Sequence, residues 1–488
     1  MPETSPANPI LHQHYLDLPE AMFAKQQPAR SPAAEMLAIN DRLLQTMGID
    51  STWFHSNDGL NMLSGNAGDY PVEPIAMAYS GHQFGHWSGT LGDGRAHMLG
   101  QITTPNGRSL DLQLKGSGRT QFSRGGDGRA TLGSVIREYL VSEAMAGLGI
   151  ATTGSIAMFT TGDRVFREQA FPGAVLLRSA SSHLRVGSFQ YAAANLEQQD
   201  VQALADFVIA RYFPELTDSP DQYLALISAV TERQASLIAQ WMLVGFIHGV
   251  MNTDNMSIVG ETIDFGPCAF MDEFNPAKVF SSIDHNGRYA WNQQPTIGHW
   301  NLARFAETLL PLLHPDPEKA VSLAEERLNS FGSLFQQAFQ SGMQRKFGLT
   351  RANADFVNHS LTLMSDSSLD FTVFFDQLTQ VACGESDSLL LEMFDDLNKV
   401  KDWLQQWHAL KSVNSVELES MRLANPAVIA RNHRVEEAIS SALDDHDFAP
   451  FQRLCRVLAN PYEIDEADRD LQAPPLPEQR VTQTFCGT

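Results

Sequence analysis

Apolar and polar residues alternate along one stretch of the chain and then change to a helical spacing. Between residues 110 and 114, leucines alternate with Asp111 and Gln113, and this period of two predicts a half-buried strand. After Thr131, apolar residues recur every three or four positions and stop before Gly149, which predicts an amphipathic helix with a glycine at its end. The pattern therefore predicts a strand, a polar loop and a helix.

Similar patterns predict the other elements. Asn106-Gly107 lies between two alternating runs, 97–103 and 108–114, and predicts a hairpin. Further strands are predicted at 155–160, 164–170, 174–178, 256–259 and 261–264, with turns at Gly162-Asp163 and Pro172-Gly173. Helices are predicted at 33–48 and 201–212, and from Ser219-Pro220 to about Ile247. Residues 1–30 read as an extended arm, and residues 471–488, which contain three prolines, read as a mobile or surface-draped tail.

The order of these elements predicts an α+β fold. One helix lies within a run of antiparallel strands, and mainly helical patterns follow from residue 199 onward. A β-rich lobe followed by a helical lobe is the architecture of a protein kinase. We expect an arm and N-lobe at 1–190, a helical C-lobe at 191–345 and a helical extension with a tail at 346–488.

Charge is distributed unevenly along the 488 residues. The net charge is −23, but the segment from Arg95 to Arg185 holds eleven Lys and Arg against six Asp and Glu. An acidic protein with a local basic segment suits a small anionic ligand better than a long polyanion or an anionic membrane. We therefore expect neither nucleic acid nor a membrane as a partner.

The four cysteines are scattered and include no CxxC pair, which argues against a zinc ribbon or a disulfide framework. Residues 1–30 lack the apolar core of a signal peptide, and the most apolar run, 237–251, is too short to span a bilayer. These features predict a cytoplasmic protein, and with no apolar surface stripe that demands a partner we expect a monomer.

The loop after Lys115 has the composition of a polyphosphate site. Residues 116–129 include five glycines and three arginines, and backbone amides with guanidinium groups can surround a phosphate chain. Glu138 lies 23 residues after Lys115 on the predicted helix, where it can pair with the lysine and orient it toward phosphates. By itself, such a pair is more often a surface ion pair.

A second group of polar residues follows the long apolar helix. Residues 248–255 resemble a kinase catalytic loop, and Asp264-Phe265-Gly266 matches the kinase triplet that holds metal. Asn255 and Asp264 offer hard oxygen ligands for Mg²⁺ or Mn²⁺. The His-Arg-Asp triplet of kinases is missing, and Asp254 stands directly beside Asn255, which counts against an ordinary kinase.

Several longer motifs resemble those of the selenoprotein O family. They are Tyr79-Ser80-Gly81-His82-Gln83-Phe84-Gly85, Leu91-Gly92-Asp93-Gly94-Arg95-Ala96, Leu114-Lys115-Gly116-Ser117-Gly118-Arg119-Thr120, Asp127-Gly128-Arg129-Ala130, and the 248–255 loop with Asp264-Phe265-Gly266-Pro267. Members of that family have a pseudokinase-like fold but transfer AMP from ATP to protein hydroxyl groups, with the nucleotide inverted in the cleft. The resemblance implies protein substrates that carry Ser, Thr or Tyr, and possible use of UTP with Mn²⁺.

The resemblance also implies roles for individual residues. Lys115, Arg178 and Arg185 would hold the outer phosphates, with Glu138 paired to Lys115. Asn255 and Asp264 would bind the metal, and Asp254 would take the proton from the attacking hydroxyl. The residues that would line the nucleotide are Gly92, Gly94, Arg95, Asp127 and Gly128. From the residues alone, Arg178 and Arg185 could equally be solvated arginines, and Asp254 could only brace its loop.

Two cysteines are candidates for redox control. Cys268 lies where a kinase has its activation segment, and Cys486 is third from the end of the chain. Animal members of the family carry selenocysteine near the C-terminus, and by this resemblance we expect a reversible Cys268–Cys486 disulfide. Two unrelated thiols are the alternative.

Three functions stay open at this point. The first is protein adenylyltransfer with ATP as co-substrate, the second is γ-phosphate transfer, and the third is an inactive nucleotide-binding scaffold with redox-sensitive interactions.

Overall fold

The computed structural model describes residues 11–68, 70, 72–412 and 414–485. Its strands are β1 Phe23–Lys25, β2 Met36–Ile39, β3 Ile75–Met77, β4 Gly81–Gln83, β5 His86–Ser88, β6 Ala96–Thr103, β7 Ser109–Lys115, β8 Ala130–Thr131, β9 Gly154–Phe166, β10 Ala170–Ala180, β11 Phe246–Ile247 and β12 Ala269–Phe270. The α-helices are α1 Asp41–Met47, α2 Asn57–Leu63, α3 Leu132–Gly147, α4 Val186–Asn195, α5 Gln198–Tyr212, α6 Gln222–Leu243, α7 Gln294–Leu313, α8 Pro317–Leu328, α9 Ser330–Lys346, α10 Ala354–Asp366, α11 Phe371–Ala382, α12 Ser388–Leu391, α13 Leu397–Leu410, α14 Ser415–Arg422, α15 Asn432–Asp444 and α16 Ala449–Leu458.

An antiparallel sheet forms the N-terminal half of the structure. Seven of its eight strands run in the order β1-β3-β6-β7-β10-β9-β2, and β8 pairs with β10. Helix α3 packs on β9 and β10 and begins at Thr131, whose hydroxyl accepts a hydrogen bond from Ser134 N–H. This arrangement confirms the α+β, kinase-like fold with a β-rich lobe and one central helix.

The second half is helical. The long helix α6 packs against α7, α8 and α9, and its second half is buried nearly all round. One hydrophobic cluster joins α3, α6 and the C-terminal helices, while a smaller cluster fills the other face of the sheet. Among the described residues, every helix is too short or too polar to cross a membrane.

Several predicted elements differ from the structure. Residues 36–39 form β2 and the following helix starts only at Asp41; the predicted helix over 33–48 was therefore wrong in its first half. Residues 11–25 are not a free arm, because Tyr15 and Met22 are buried and β1 pairs with β3. The chain after residue 471 follows the surface as far as Thr484, whose N–H donates to Phe280 O.

Two long strands replace the three short ones predicted between residues 155 and 178. Pro172 pairs with Arg164 inside the β9–β10 ladder, next to a register shift, and Gly162 lies within β9 at a φ of +77°. Proline and glycine mark bulges here and not turns. Similarly, the predicted strands at 256–259 and 261–264 reduce to single bridges at Ser257 and Thr262.

Helix α6 ends at Leu243, four residues before the predicted end. Gly245 adopts a φ of +71°, which ends the helix because few other residues tolerate this conformation. The next two residues form β11, which pairs with β12 just after the Asp-Phe-Gly triplet. The pairing of β11 with β12 brings the 248–255 loop and the triplet together.

Candidate active site

Lys115 and Glu138 meet at the centre of the sheet-and-helix half. Lys115 ends β7, and Glu138 lies in the middle of α3. The lysine Nζ lies 2.6 Å from Glu138 Oε2, and both side chains are about nine-tenths buried. The ion pair expected from the 23-residue spacing is therefore present, away from bulk solvent.

Arg178 reaches the same point from the neighbouring strand. The β7–β10 register places Arg178 directly opposite Gln113, and Arg178 Nε and Nη2 donate to Gln113 Oε1 at 2.9 and 2.7 Å. Its Nη1 donates to Glu138 Oε1 at 3.0 Å. Because its side chain is only 2% exposed, Arg178 is a fixed internal charge and not a solvated surface arginine.

Arg185 adds a third cation at the start of α4. Its Nη1 donates to the backbone carbonyl of Asp254 and to Asp264 Oδ2, each at 2.8 Å. The guanidinium lies 4.6 Å from the centre of the Tyr79 ring, and Nη2 is 4.0 Å from Asp93 Oδ1. Arg185 thereby connects the segment between β10 and α4 to the loops that carry Asp254 and Asp264.

These three cations converge on one carboxylate. Asp264 Oδ1 lies 2.7 Å from Lys115 Nζ and 2.7 Å from Arg178 Nη1; its other oxygen contacts Arg185. Burial raises the pKa of this carboxyl, but the attraction of the three cations outweighs burial and holds the pKa well below its usual range. Asp264 also adopts a φ of +63°, an uncommon conformation for a residue other than glycine.

Asp254 lies beside this cluster in a different environment. Its Oδ2 accepts a hydrogen bond from Gln83 Nε2 at 3.1 Å, while its buried Oδ1 has no hydrogen-bond partner in the described part of the chain. Burial raises the pKa of Asp254 to about 6. Two neighbouring carboxylates with pKa values shifted in opposite directions are typical of acid–base division in an active site.

Asn255 and Asp264 provide the oxygen donors expected for a metal. Asn255 Nδ2 donates to Val250 O at 3.0 Å, and this bond leaves the amide oxygen as the end available to a ligand. An amide oxygen and a carboxylate suit Mg²⁺ or Mn²⁺, which protein sites often bind through one or two such groups together with substrate phosphates. The donor types therefore fit a divalent metal.

The glycines expected to line the nucleotide are closely packed by the protein itself. A Cβ on Gly92 would lie 2.5 Å from the Phe122 ring, and one on Gly94 would lie 2.9 Å from Phe122 O. At Gly128 a Cβ would collide with the backbone of Gly118. Internal packing is thus sufficient to explain these three glycines, and their contact with a nucleotide stays a prediction.

The remaining two nucleotide candidates also have contacts within the chain. Asp127 accepts hydrogen bonds from the Arg167 guanidinium at 2.8 and 3.1 Å. The carbonyl of Arg95 accepts from Gly116 N–H at 2.7 Å, which ties the Leu91–Ala96 motif to the loop after Lys115. Their roles toward a nucleotide stay predictions.

Comparison with known proteins decides the family. A family model described as "Protein adenylyltransferase SelO" matches residues 9–459. The chain belongs to the SelO protein adenylyltransferase family. It is 53% identical to the protein nucleotidyltransferase YdiU of Shewanella denitrificans, over 99% of this chain and 98% of that protein. The YdiU proteins of Rhizobium rhizogenes and Bacillus cytotoxicus are 48% and 47% identical, each over 97% of this chain and 96% of theirs.

Membership in the SelO family confirms the resemblance drawn from the motifs, and with it the class of enzyme, a nucleotidyltransferase. The geometry adds residues that sequence reasoning missed. Gln113 orients Arg178, Gln83 holds Asp254, and buried Asp93 accepts hydrogen bonds from Met77 N–H and Gln113 Nε2 at 3.1 and 3.0 Å. Gln113 had a signal in the sequence, because it is a polar residue two positions before Lys115 and shares its strand face.

One of the two candidate redox cysteines can be placed. Cys268 is buried, and its Sγ donates to Phe265 O at 3.2 Å. Cys486 lies outside the described residues. Thr484, two residues earlier in the chain, donates from its hydroxyl to Pro267 O at 2.5 Å.

Proposed function

We propose that this protein transfers AMP from ATP to a Ser, Thr or Tyr hydroxyl of a protein and releases pyrophosphate. The family description and the names of the relatives support nucleotidyl transfer. The single observation that carries the finer proposal is the convergence of three buried cations, Lys115, Arg178 and Arg185, on one anionic group.

The three cations suit a leaving pyrophosphate. When the bond from the α-phosphorus to the bridging oxygen breaks, negative charge builds on the β and γ phosphates, and fixed cations there stabilise the transition state. In our proposal Lys115, Arg178 and Arg185 exchange the Asp264 carboxylate for phosphate oxygens. Glu138 and Gln113 keep the lysine and Arg178 in place, and the glycine-rich loops line the nucleotide.

Asp264, released from the cations, and Asn255 would hold Mg²⁺ or Mn²⁺. Such an ion, when bound, neutralises and orients the phosphates. Asp254 lies at the other end of the cluster with one carboxylate oxygen unpartnered. It accepts the proton of the attacking hydroxyl while the hydroxyl oxygen forms its bond to the α-phosphorus and the bond to pyrophosphate breaks.

Labelled ATP tests this function against the alternatives. The protein is incubated with a protein acceptor and with ATP labelled at either the α or the γ phosphate. The proposal expects protein-bound label from the α position only. Label from the γ position only would mean kinase chemistry, and no label from either would mean a nucleotide-binding scaffold. Asp264→Ala should abolish labelling, and full labelling in that variant would overturn the metal assignment.

The C-terminal segment offers a means of regulation. We propose that Cys486 forms a reversible disulfide with Cys268 and holds the tail across the cleft. The support is the Thr484 contact with Pro267, the residue before Cys268. Oxidised wild type should migrate differently from oxidised Cys486→Ser on a non-reducing gel, and identical migration would remove the idea.

We also propose a location, an oligomeric state and a division into segments for this protein. The low cysteine content favours a cytoplasmic location, and the chain is proposed to act as a monomer made of the three segments 1–190, 191–345 and 346–488. Sedimentation equilibrium at micromolar concentration should return the 53.9 kDa mass of a single chain.

A further inference from the structure

The β4–β5 hairpin forms one wall of the site next to Asp254. Three consecutive hairpin residues bind three consecutive residues of the catalytic loop. His82 N–H donates to Thr253 Oγ1 at 2.7 Å, and Phe84 N–H donates to Asn252 Oδ1 at 3.0 Å. Gln83 lies between them and binds Asp254. The hairpin therefore lies directly beside Asp254, where the proposed function brings the substrate hydroxyl.

Aromatic and cationic side chains cover the outer side of the hairpin. The His82 ring lies 5.0 Å from Trp87 and 5.2 Å from Trp300 between ring centres. Arg288 and Arg304 both stack on Trp300, at 4.9 and 5.1 Å from its ring centre. Trp87 is 47% exposed. We call Trp87, Trp300, Arg288 and Arg304 the arginine–tryptophan platform.

The platform and the residue next to Arg288 lie against both the hairpin and the catalytic loop. A Cβ on Gly85 would lie 3.5 Å from Arg288 Cζ, and the Tyr289 hydroxyl donates to Asn252 Oδ1 at 2.6 Å. Burial lowers the pKa of His82, and the nearby Arg304 and Arg288 lower it further, as expected for two positive charges close to that ring. The guanidinium groups, the hairpin and the catalytic loop thus form one continuous surface.

This surface carries two arginines, Arg288 and Arg304, although the protein as a whole has a net charge of −23. Two carboxylates lie close to them, those of Asp284 and Glu307. The Asp284 carboxylate accepts hydrogen bonds from the N–H groups of Arg288 and Tyr289. Arg304 pairs with half-exposed Glu307, whereas Arg288 makes no ion pair with any residue that the structure describes. Arg288 is therefore the cation most available to an outside anion.

We propose that the arginine–tryptophan platform binds an acidic segment of the protein substrate that flanks the acceptor hydroxyl. This inference rests on the proposed function and names the substrate class of the same site. Carboxylates of the segment pair with Arg288 and Arg304, and Trp87 covers the apolar part of the segment's acidic side chains. A long nucleic acid is disfavoured because the rest of the protein repels a polyanion.

Peptide binding tests the platform without any chemical step. The full-length protein is titrated with fluorescent 12-residue peptides whose central residue is Ala and whose flanks are Glu, Gln or Lys, and binding is measured by anisotropy. We expect the Glu peptide to bind about tenfold more tightly than the Lys peptide, as two partly exposed ion pairs allow. The difference should shrink in high salt.

Charge reversal supplies the matched variants. Arg288→Glu with Arg304→Glu should invert the preference to the Lys peptide, a change that loss of structure alone does not produce. Arg351→Glu reverses an exposed arginine in the C-terminal extension and should leave the preference for Glu unchanged. Equal binding of all three peptides, or inversion by Arg351→Glu, would overturn the proposal. Tighter binding of a 12-nucleotide single strand, lost in the double variant, would assign the platform to nucleic acid and also overturn it.

The same peptides with a central Ser, Thr or Tyr separate this proposal from the proposed function. Transfer of α-label to all of them at equal rates would leave the function intact and remove the platform. Selective binding of the Glu peptide without any transfer of label would leave the platform and remove the function. Preferential labelling of the Glu peptide, inverted in the double variant, is the result that we expect.

Discussion

Asp254 is positioned by one backbone contact from Arg185, a member of the cation cluster, and by one side-chain contact from Gln83. Its carbonyl accepts from Arg185, and its carboxylate accepts from Gln83. Asp254→Asn keeps the shape of the side chain but removes the proton acceptor. We expect kcat for α-label transfer to fall about 10²- to 10⁴-fold, while the Kd for ATP measured by calorimetry changes less than about threefold.

Equal kcat in Asp254→Asn and wild type would reduce Asp254 to a brace of its loop. A large loss of ATP affinity with unchanged kcat would move Asp254 into nucleotide binding.

Glu261 joins the loop that precedes Asp264 to Ser181, the residue after β10. Its carboxylate accepts from Ser181 Oγ and N–H at 2.5 and 3.0 Å, and burial raises its pKa from 4.5 to about 7. The folded state therefore retains this proton more strongly than the unfolded state does. As pH rises from about 4.5 to about 7, Glu261 consequently lowers the free energy of unfolding.

Glu261→Gln removes that titration, and its amide oxygen can still accept from Ser181. Relative to wild type, we expect its free energy of unfolding to increase by about 1–3 kcal/mol between pH 5 and pH 8, measured by urea unfolding at both values. Glu385→Gln, at an exposed position, serves as control. A difference between Glu261→Gln and wild type that does not change with pH would contradict the assignment.

At the residue scale, sequence reasoning found the charged groups but not what holds them. Lys115, Glu138 and Asp264 stand in recognisable motifs, and the structure brings all three together. Gln113 and Gln83 were missed as site residues because a neutral amide does not by itself indicate a site, although Gln113 shares the strand face of Lys115 and Gln83 lies in a family motif. The importance of such an amide becomes visible only when a strand register or a hairpin places it against a charge.

At the scale of elements, the β4 strand is packed directly against the catalytic loop. A Cβ on Gly81 would lie 2.6 Å from Asp254 Oδ1 and 3.2 Å from its Cβ. Gly81→Ala should therefore rotate the aspartate away and reduce kcat at least about tenfold, because a misplacement of about 1 Å is enough to impair a catalytic group.

Gly89→Ala is the matched control, since its new Cβ would meet only Trp87 Nε1 at an ordinary 3.5 Å. We expect near-normal kcat in the control, by α-label transfer, and melting temperatures within a few degrees in both variants. Equal activity of the two variants would show that Asp254 does not depend on this packing.

Helix α9 ends with a lysine buried in the C-terminal extension. Lys346 Nζ lies 4.1 Å from the centre of the Phe375 ring and donates to Ala424 O at 3.3 Å. Burial lowers its pKa from 10.5 to about 7, so that the unfolded state binds its proton more strongly than the folded state does. Wild-type stability should therefore rise with pH between about 7 and 10.5.

Lys346→Met fills similar space without a charge and should raise the free energy of unfolding at pH 7 by about 1–3 kcal/mol. This gain should shrink by pH 9, and Lys401→Met, on the exposed side of α13, should change little at either pH. Urea unfolding would measure both variants, and destabilisation of Lys346→Met at pH 7 would contradict this account.

The differences between predicted and observed elements have local causes. Gly162 and Pro172 were interpreted as turns because those residue types favour turns, but each sits at an irregularity within the β9–β10 pair. Residues 36–39 carry apolar side chains at a spacing compatible with a helix, yet pairing with β9 makes them a strand. Tertiary pairing overrides local propensity at such short segments.

At the scale of the whole molecule, the C-terminal extension is joined to the segment after Asp264. Arg431, 1% exposed, donates to Asp272 and to both oxygens of Asp370. The residue after Asp272 is Glu273, which pairs with Arg480. The sequence predicted a helical extension, but the long-range pairing of Arg431 has no signature in a single sequence.

The two-lobed architecture was predictable because it depends on the order of elements and not on their ends. The convergence of Lys115, Arg178 and Arg185 was predictable only through the family resemblance, since they lie on two strands and a helix start that are brought together by the register of the sheet. Our central claim is that these three cations contact the β and γ phosphates of ATP.

A crystal structure with a non-hydrolysable ATP analogue and Mg²⁺ tests that claim most directly. The quantities to measure are the distances from the three cationic side chains to the β and γ phosphate oxygens. We predict hydrogen-bond distances of about 2.7–3.0 Å from Lys115, Arg178 and Arg185 to these oxygens, with Asp264 turned to the metal. A complex in which the three cations stay on Asp264, or face the adenine, would contradict the account.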